Sequence, residues 1–419
     1  MKLQKELDEV KENQLSFPIR QHDFQKMGVY LKYYLNNYGD PFQDNTDYNQ
    51  LRTRQFENQV IRYFGELYKV PQECELWGYM TSGSTESNMQ AIYFAREYFK
   101  NHQNVAVIYT DKTHSSLNKA IYYLKLDFFG HVAKSLNLEP PVGMKEWPDK
   151  VPHNSAGQMD IDSLKTILKP LAEKKIPVLI ISNVGTTSSC SFDNTTEIIK
   201  ALKTQEFYKD SRNHWIHIDG AWCAPYIRFL QIASTTQRYK ILPTKTINEA
   251  KFDFSLNEVK SITTSIHKWI PSPFPSSVLL IKDKYLMPSD HLQNSYILGQ
   301  DYTLTTSRNG HAPLFTWDYL MKKTLNDHLD DAVNAYSMAN YVCSKLIDIQ
   351  DQYNVDLRIQ KTQIGLNIRF KKPSDDICYK YGLMVMGDEA LIFIMPDKTK
   401  QLCDMFLSDL RNEMRIRKL

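Results

Sequence analysis

The sequence predicts an α/β protein with a doubly wound, mostly parallel sheet and a smaller C-terminal α+β domain. Short apolar runs alternate with stretches of helical periodicity between residues 51 and 305. The length of 419 residues also exceeds the size at which a single hydrophobic core usually stops growing. After about residue 305 the pattern changes to a long helix followed by alternating runs. We therefore divide the chain into an arm (1–50), a large domain (51–305) and a small domain (306–419).

Composition and charge narrow the possible classes of protein. Hydrophobic residues make up 42% of the chain and charged residues 24%, as in ordinary globular proteins, which excludes collagen-like and disordered classes. Lys and Arg total 51 against 48 Asp and Glu, so bulk charge indicates no nucleic-acid or membrane-surface partner. The first residues lack the apolar core of a signal peptide, and no apolar run approaches the ~18 residues that span a bilayer. We expect a cytoplasmic protein.

The cysteines predict free thiols rather than disulfides or a metal site. They are scattered without a CxxC pair, and a chain of this length needs no disulfide staples. The six are Cys74, Cys190, Cys223, Cys343, Cys378 and Cys403.

The elements of the large domain follow the arm in a regular order. Residues 1–50 are polar and aromatic with few strand signals, which predicts an arm or helical lead-in without its own core. Residues 51–68 and 85–99 place apolar side chains at helical spacing. Short apolar runs between helical stretches predict parallel strands. These runs are Val105–Tyr109, Val178–Ser182, Trp215–Ile218, Ser261–Thr264 and Val278–Ile281.

Further helices and strands complete the prediction. Asp162 precedes a helical stretch and is predicted to be its N-cap. In the small domain we expect a helix over Asn326–Ile349 and a terminal amphipathic helix that bears Leu402, Phe406, Leu410 and Met414. Three runs between these helices predict strands. They are Val355–Ile359, Ile364–Phe370 and Leu391–Met395.

The first polar cluster, TSGSTESN at Thr81–Asn88, lies between an apolar run and a predicted helix. The free backbone N–H groups and the dipole at a helix N-terminus attract anions, so the hydroxyls and the glycine indicate a phosphate cradle. Ser84 or Thr85 alone also fits an ordinary helix cap.

Three more clusters follow predicted strands. The ISNVGTT segment, residues 181–187, ends one strand, and Asp219 ends the next before two small residues. Lys268 follows a third strand between His267 and Trp269. Ligands of open α/β sheets bind outside the carboxyl ends of the strands, which favours a shared site. Taken singly, each cluster also fits an ordinary structural role, as a turn, a loop cap or a surface lysine.

The order of phosphate loop, strand-end turn, Asp219 and Lys268 resembles the fold-type I pyridoxal 5′-phosphate (PLP) enzymes, specifically the group II amino-acid decarboxylases. The segment TSRNGHAPLFTW at Thr306–Trp317 is similar to one in bacterial histidine decarboxylases and plant serine decarboxylases. DKTHSS at Asp111–Ser116 is similar to the segment whose histidine stacks on the cofactor ring. The resemblance runs from about residue 30 to 320.

This resemblance implies roles for particular residues. Lys268 would hold PLP covalently, and Asp219 would pair with its pyridine nitrogen. Arg308 would orient the substrate carboxylate or brace the loop before it, and Tyr296, or alternatively Tyr302, would protonate Cα. The implied catalytic residues are Lys268, His114, Tyr296 and Asp219. The implied cofactor-binding residues are Ser82, Gly83, Ser84, Thr85, His114, Thr186, Asp219, Ala221, Ser265, His267 and Lys268.

The expected activity is decarboxylation of an L-amino acid, with histidine as the first choice. Serine, methionine or aromatic amino acids are alternative substrates. Transamination, oxidative deamination, or a PLP-fold binding protein without turnover are the alternatives to decarboxylation. The resemblance also implies a homodimer with shared active sites, which the polar, aromatic arm suits.

The chain departs from the family pattern at a few positions. The family usually has glycine where this chain has Ser84 and Ser87, alanine in place of Gly220, and glycine in place of Ile266. Serine still supplies a hydrogen-bond donor, and Gly220 keeps the site small. Ile266 puts the pocket geometry in question, because a β-branched residue cannot adopt backbone angles reserved for glycine.

Overall fold

The computed structural model describes residues 2–16, 26–42, 53–72, 75–239, 242–286, 293–294 and 299–417. Seven strands form the central sheet, and short pairs and a three-stranded sheet account for the remainder of the strands in these ranges. In chain order the strands are β1 Asn36–Asn37, β2 Leu76–Thr81, β3 Ala106–Ile108, β4 Asp127–Phe128, β5 Val178–Asn183, β6 His214–Asp219, β7 Val259–Ser265, β8 Ser277–Lys282, β9 Gln293–Asn294, β10 Gly299–Gln300, β11 Arg308–Asn309, β12 Asn367–Lys371, β13 Met384–Met386 and β14 Glu389–Phe393.

The helices alternate with the strands through most of the chain. In order they are α1 Lys2–Asn13, α2 Arg54–Leu67, α3 Ser84–Tyr98, α4 Ser115–Tyr123, α5 Phe129–Ser135, α6 Ile161–Glu173, α7 Thr195–Lys203, α8 Glu206–Lys209, α9 Ala224–Ser234, α10 Thr244–Glu249, α11 Ile266–Trp269, α12 His311–Lys322, α13 Leu325–Tyr353, α14 Asp375–Lys380 and α15 Lys400–Arg417. Short 3₁₀ turns cover Gly28–Lys32, Ser211–Asn213 and Asp283–Tyr285.

The central sheet has the strand order β2-β8-β7-β6-β5-β3-β4. Strands β3 to β7 pair in parallel, whereas β8 runs antiparallel to both of its neighbours, β2 and β7. The carboxyl ends of β2, β5, β6 and β7 therefore share one edge with the amino end of β8. Ligands of open α/β sheets bind at such an edge.

Both faces of the sheet are buried, as a doubly wound fold requires. Along β5, Val178 and Ile180 pack into one core cluster, whereas Leu179 and Ile181 pack into another on the opposite face. Successive side chains of a strand point to opposite faces, so this alternation places helices on both sides. The prediction of an α/β, mostly parallel sheet is confirmed.

The C-terminal part is built around an antiparallel sheet of order β12-β14-β13. The long helix α13 begins with a capping box, in which Thr324 and Asp327 each bond the other's backbone. Phe370 of β12 and Phe406 of α15 pack with ring centroids 5.9 Å apart. An α+β arrangement was predicted for this region, and the structure has one.

Two local predictions differ from the structure. The N-cap of α6 is Asp160 rather than Asp162, because the Asp160 side chain accepts the Ser163 N–H at 2.7 Å. The run 355–359 forms no strand; only an isolated bridge between Gln360 and Arg369 follows it. The edge strand β13 was not predicted, since its three side chains are all exposed and carry no burial pattern.

The N-terminal segment contributes little to the core. Helix α1 buries no residue, and Leu3, Leu7 and Val10 are exposed along it. Strand β1 pairs with β11, which ties the segment to the region after residue 305. Within the described ranges, no helix combines the length and apolar character needed to cross a membrane. Cys190, Cys223, Cys343, Cys378 and Cys403 are free thiols, whereas Cys74 lies outside those ranges.

Candidate active site

A cavity of about 320 Å³ lies at the sheet edge where β2, β5, β6 and β7 end and β8 begins. All the residues predicted to bind the cofactor line it. The lining consists of Ser82, Gly83, Ser84, Thr85, Asn88, His114, Ser116, Asn183, Gly185, Thr186, Thr187, Asp219, Ala221, Trp222, Ser265, His267, Lys268 and Pro275.

The turn between β2 and α3 forms one end of the cavity. Gly83 has a φ of 151°, which side-chain-bearing residues rarely adopt, and a Cβ there would meet no atom within 4 Å. The Ser84 hydroxyl hydrogen-bonds to Ser265 and lies 2.9 Å from the Ser277 hydroxyl. Free backbone N–H groups at the start of a 15-residue helix thus meet converging hydroxyls beside open space. This donor set suits a phosphate.

Asp219 and Lys268 bring opposite charges together deeper in the cavity. Asp219 ends β6, is 6% exposed, and accepts the Ala221 N–H at 3.2 Å. Burial lowers the pKa of Lys268, and the Asp219 carboxylate opposes that shift. The Lys268 ammonium also lies 5.8 Å from the centroid of the Trp222 ring. A lysine of lowered pKa has a larger fraction of neutral amine, the nucleophilic form that attacks a carbonyl.

His114 caps the first turn of α4 at the mouth of the cavity. Its Nδ1 accepts the Ser116 N–H at 3.2 Å and lies 2.9 Å from the Ser116 hydroxyl. Burial lowers the His114 pKa, and the nearby positive charge of Lys268 lowers it further. A neutral imidazole with its Nδ1 engaged keeps a flat face for stacking on a ring.

Two further predicted residues are held by their own loops. The Thr186 hydroxyl lies 2.8 Å from those of both Ser189 and Ser191, within the turn after β5. The His267 Nδ1 lies 2.8 Å from the Ser276 carbonyl oxygen, which fixes the ring beside Lys268. Both residues line the cavity through these fixed positions.

The structure does not bring Arg308 to this cavity. Its guanidinium is buried against the Glu57 carboxylate, with Nη2 to Oε2 at 3.2 Å, and donates to the Thr303 hydroxyl at 3.1 Å. These contacts fit the bracing alternative. Tyr302 lies beside Trp77, with ring centroids 6.0 Å apart, and does not line the cavity. Tyr296 lies outside the described residues.

The departures from the family pattern have local explanations. Ile266 does not have a positive φ; it opens α11 and is fully buried in the main core cluster, so no glycine is needed there. Ser87 is buried and shares a 2.6 Å hydrogen bond with Thr81. A Cβ on Gly220 would lie 2.5 Å from the Ala224 Cβ and 2.8 Å from the Thr263 carbonyl oxygen. These two atoms lie too close to Gly220 for a methyl group to fit.

Sequence reasoning assigned no role to Asn88 and Asn183, which line the cavity, or to Ser277, whose hydroxyl lies 2.9 Å from that of Ser84. Asn88 lies one helical turn after Ser84, and that i, i+4 spacing was an available signal. Ser277 opens β8, and its contribution depends on β8 running antiparallel between β2 and β7. The apolar run alone does not reveal that direction.

Comparisons with known proteins agree with this geometry. The pyridoxal-dependent decarboxylase conserved domain matches residues 51–314. Histidine decarboxylase of Vibrio campbellii is 27% identical over 389 residues, covering 92% of this chain and 86% of that protein. Serine decarboxylase 3 of Oryza sativa subsp. japonica is 27% identical, with coverages of 94% and 76%. The crystal structure of L-methionine decarboxylase from Streptomyces sp. 590 aligns at 26% identity, with a TM-score of 0.87 and coverages of 98% and 93%.

The family match spans more than half of the chain, and the described site carries a phosphate-type helix N-terminus, a buried carboxylate and a buried lysine at one sheet edge. The cofactor of such a site is PLP. This chain belongs to the pyridoxal-dependent decarboxylase family and is a PLP-dependent carboxy-lyase that acts on an amino acid.

Proposed function

We propose that this chain decarboxylates L-histidine to histamine. Lys268 and Asp219 in one cavity with a phosphate-type helix N-terminus carry the cofactor part, and the family match carries the decarboxylation. Similarity to histidine decarboxylases of Vibrio and other bacteria supports histidine. Serine is the second candidate, because serine decarboxylases are equally similar, and methionine is the third because of the Streptomyces structure.

The residues that would hold PLP divide the cavity into regions. Ser84 and Thr85 would bind the phosphate through their helix N–H groups, and the hydroxyls of Ser82, Ser84 and Thr85 would add donors, since the Ser82 N–H is donated to Glu86. Asp219 would keep the pyridine nitrogen protonated, and His114 and Ala221 would flank the ring. Lys268 would hold the cofactor covalently until the substrate amine displaces it. When bound, PLP supplies an electron sink for the pair released as the bond from Cα to the carboxylate breaks.

Lys268 can act as a nucleophile only after its ammonium group has lost a proton, and the site favours that loss. Burial disfavours the charged ammonium and lowers the Lys268 pKa, which enlarges the fraction of the neutral, nucleophilic amine. The Asp219 carboxylate is needed as a counter-charge in the same buried space, since an isolated buried charge is costly. The wall of the cavity must also hold the scissile bond in line with the electron sink, a positioning task.

The substrate proposal is tested with the purified protein, added PLP and a panel of histidine, serine, methionine and aromatic amino acids. Carbon dioxide and amine are quantified together. Histamine and carbon dioxide in equal amounts support the proposal. A different amine contradicts the choice of histidine and leaves decarboxylation in place. Carbonyl product without carbon dioxide contradicts decarboxylation itself and supports transamination.

Tyr296 is proposed to deliver the proton that replaces carbon dioxide on Cα. Tyr296→Phe should still bind substrate but should lose amine production by roughly 10²- to 10⁴-fold, the usual effect of a missing general acid. Tyr302→Phe is the matched control and should retain activity. Near-normal amine production by Tyr296→Phe, with loss in Tyr302→Phe, would reassign the proton donor to Tyr302.

A homodimer with shared active sites is proposed as the working form. The apolar side chains of the N-terminal segment support it, because Leu3, Leu7, Val10, Leu31 and Tyr34 are exposed in the isolated chain. Exposed apolar groups in such number favour contact with a second surface. Sedimentation should give a dimer, and an active monomer would contradict this part of the proposal.

A further inference from the structure

A chain of four buried side chains runs beneath the cavity. Trp215 Nε1 lies 3.0 Å from Ser261 Oγ, Ser261 Oγ lies 2.8 Å from His217 Nδ1, and His217 Nε2 lies 3.0 Å from Asn88 Oδ1. Trp215, Ser261 and His217 are fully buried, and Asn88 is 1% exposed. Of the four, Asn88 lines the cavity. The network therefore links the interior of the sheet to the wall of the site.

The direction of each hydrogen bond follows from chemistry. The indole N–H of Trp215 can only donate, so Ser261 accepts from it. The Asn88 amide oxygen can only accept, so the single proton of the neutral His217 ring is on Nε2, and His217 Nδ1 accepts from the Ser261 hydroxyl. A second acceptor for that proton, the Thr263 hydroxyl, is more distant at 3.5 Å. The network thus fixes the Asn88 oxygen inward and leaves its amide nitrogen with two unused N–H groups.

That amide nitrogen is buried and has no hydrogen-bond acceptor among the described residues. Leaving a buried donor unsatisfied costs about 1–3 kcal/mol, and native structures rarely keep one without a reason. Asn88 lies one turn after Ser84 on α3, and it is bonded to His217, two residues before Asp219 on β6. The unsatisfied donor thus belongs to a residue on the helix of the proposed phosphate region, and this residue is bonded to the strand that carries the proposed ring-nitrogen partner.

We propose that Asn88 is a further cofactor-binding residue, whose side-chain amide donates to an oxygen atom of bound PLP. Trp215, Ser261 and His217 act as positioning residues, since they hold the amide in the donating orientation. This inference rests on the proposed PLP site. The acceptor is either a phosphate oxygen or the ring hydroxyl oxygen, and the two are distinguished by a cofactor analogue that lacks the phosphate.

The test is the dissociation constant of PLP, measured by titrating the apoenzyme and following visible absorbance. Asn88→Leu removes the donors at similar side-chain size. Gln90→Met is the matched control, because Gln90 is a buried amide on the same helix that donates to the Tyr302 carbonyl oxygen. Asn88→Leu should weaken PLP binding by about tenfold or more, as for a lost hydrogen bond to a charged or strongly polar oxygen. Gln90→Met should leave it unchanged.

The remaining arms separate the alternatives. Pyridoxal has no phosphate. It should bind more weakly to Asn88→Leu than to the wild type only if the acceptor is the ring hydroxyl oxygen. His217→Phe should weaken PLP binding, and His217→Gln, which can still donate to Asn88, should restore it. If Asn88→Leu misfolds by circular dichroism, Asn88→Ala, which also lacks a donor, replaces it. Equal PLP affinity in wild type and folded Asn88 variants overturns the inference alone, whereas failure of the wild type to bind PLP overturns the proposed function.

Discussion

At the scale of single residues, the absence of a side chain at Gly220 allows the start of α9 to pack closely against the end of β6. Gly220→Ala would place a Cβ against the Ala224 Cβ and the Thr263 carbonyl oxygen. Overpacking of this kind costs about 1–3 kcal/mol, so we expect a lower urea midpoint of unfolding. Adding Ala224→Gly should recover part of the loss, because it removes one of the two close contacts.

Gly28→Ala is the control for that measurement, since a Cβ there meets no atom within 4 Å and its backbone needs no positive φ. It should leave the midpoint almost unchanged. A stable Gly220→Ala with normal PLP binding would mean that α9 can shift away from β6 at little cost.

The residue scale also shows what motifs can predict. Asp219 and Lys268 were identified from sequence because each polar residue interrupts or follows an apolar strand, a local signal. Arg308 was assigned to the substrate on its motif alone. Its buried partner, Glu57, is 251 positions away, so the pairing depends on the tertiary fold.

At the scale of elements, the Glu57 carboxylate joins four pieces of the chain. It accepts from Asn37 of β1 at 2.8 Å, from the Met80 N–H of β2 at 2.9 Å, and from Arg308 of β11. Glu57→Gln keeps the size but removes the charge, leaving Arg308 buried without its counter-ion. Breaking a buried pair in this way costs about 3–5 kcal/mol, which urea unfolding would measure.

Glu66→Gln on the same helix is the matched control, because Glu66 is exposed and its change should be near zero. The double variant Glu57→Leu with Arg308→Met should lose less stability than Glu57→Gln, since no uncompensated charge remains. A Glu57→Gln protein as stable as the wild type would show that Arg308 reaches solvent or another anion.

Elements were predictable where burial was complete. The strands around Ile180 and Ile216 were located to within a residue or two, because fully buried parallel strands are continuous apolar runs. The direction of β8 was not predicted, since hydrophobicity carries no information on strand polarity. The edge strand β13 was missed because its exposed side chains, from Met384 to Met386, lack any alternation.

At the scale of the whole molecule, three buried histidines make stability depend on pH. Burial lowers the pKa of His214, His217 and His328 to about 4. In the unfolded chain histidine titrates near ~6.5, so between ~6.5 and about 4 the unfolded state binds more protons. The free energy of unfolding should therefore fall as pH decreases through that window, by up to ~1.4 kcal/mol per pH unit for each histidine.

Urea unfolding at several pH values between 7 and 5 checks this expectation. His328→Phe is the informative variant, because the His328 ring already stacks on Phe229 at 4.8 Å and does not line the cavity. The free energy of unfolding of this variant should change less steeply with pH than that of the wild type, and the difference should equal the contribution of one histidine. An identical slope in both proteins would show that folding does not lower the pKa of His328.

The antiparallel strand β8 also determines when the molecule can fold during synthesis. Thr81 and Ser277 are neighbours in the sheet although 196 positions separate them. Until the ribosome has released β8, β2 has no partner and β7 has an open edge, and pairings this distant in sequence form slowly. Ser84, Ser265 and Ser277 meet only after that insertion. A nascent chain that ends before about residue 282 therefore exposes the edges of β2 and β7 that β8 later covers, and chaperones can bind them. The PLP site is among the last parts of the large sheet to be completed.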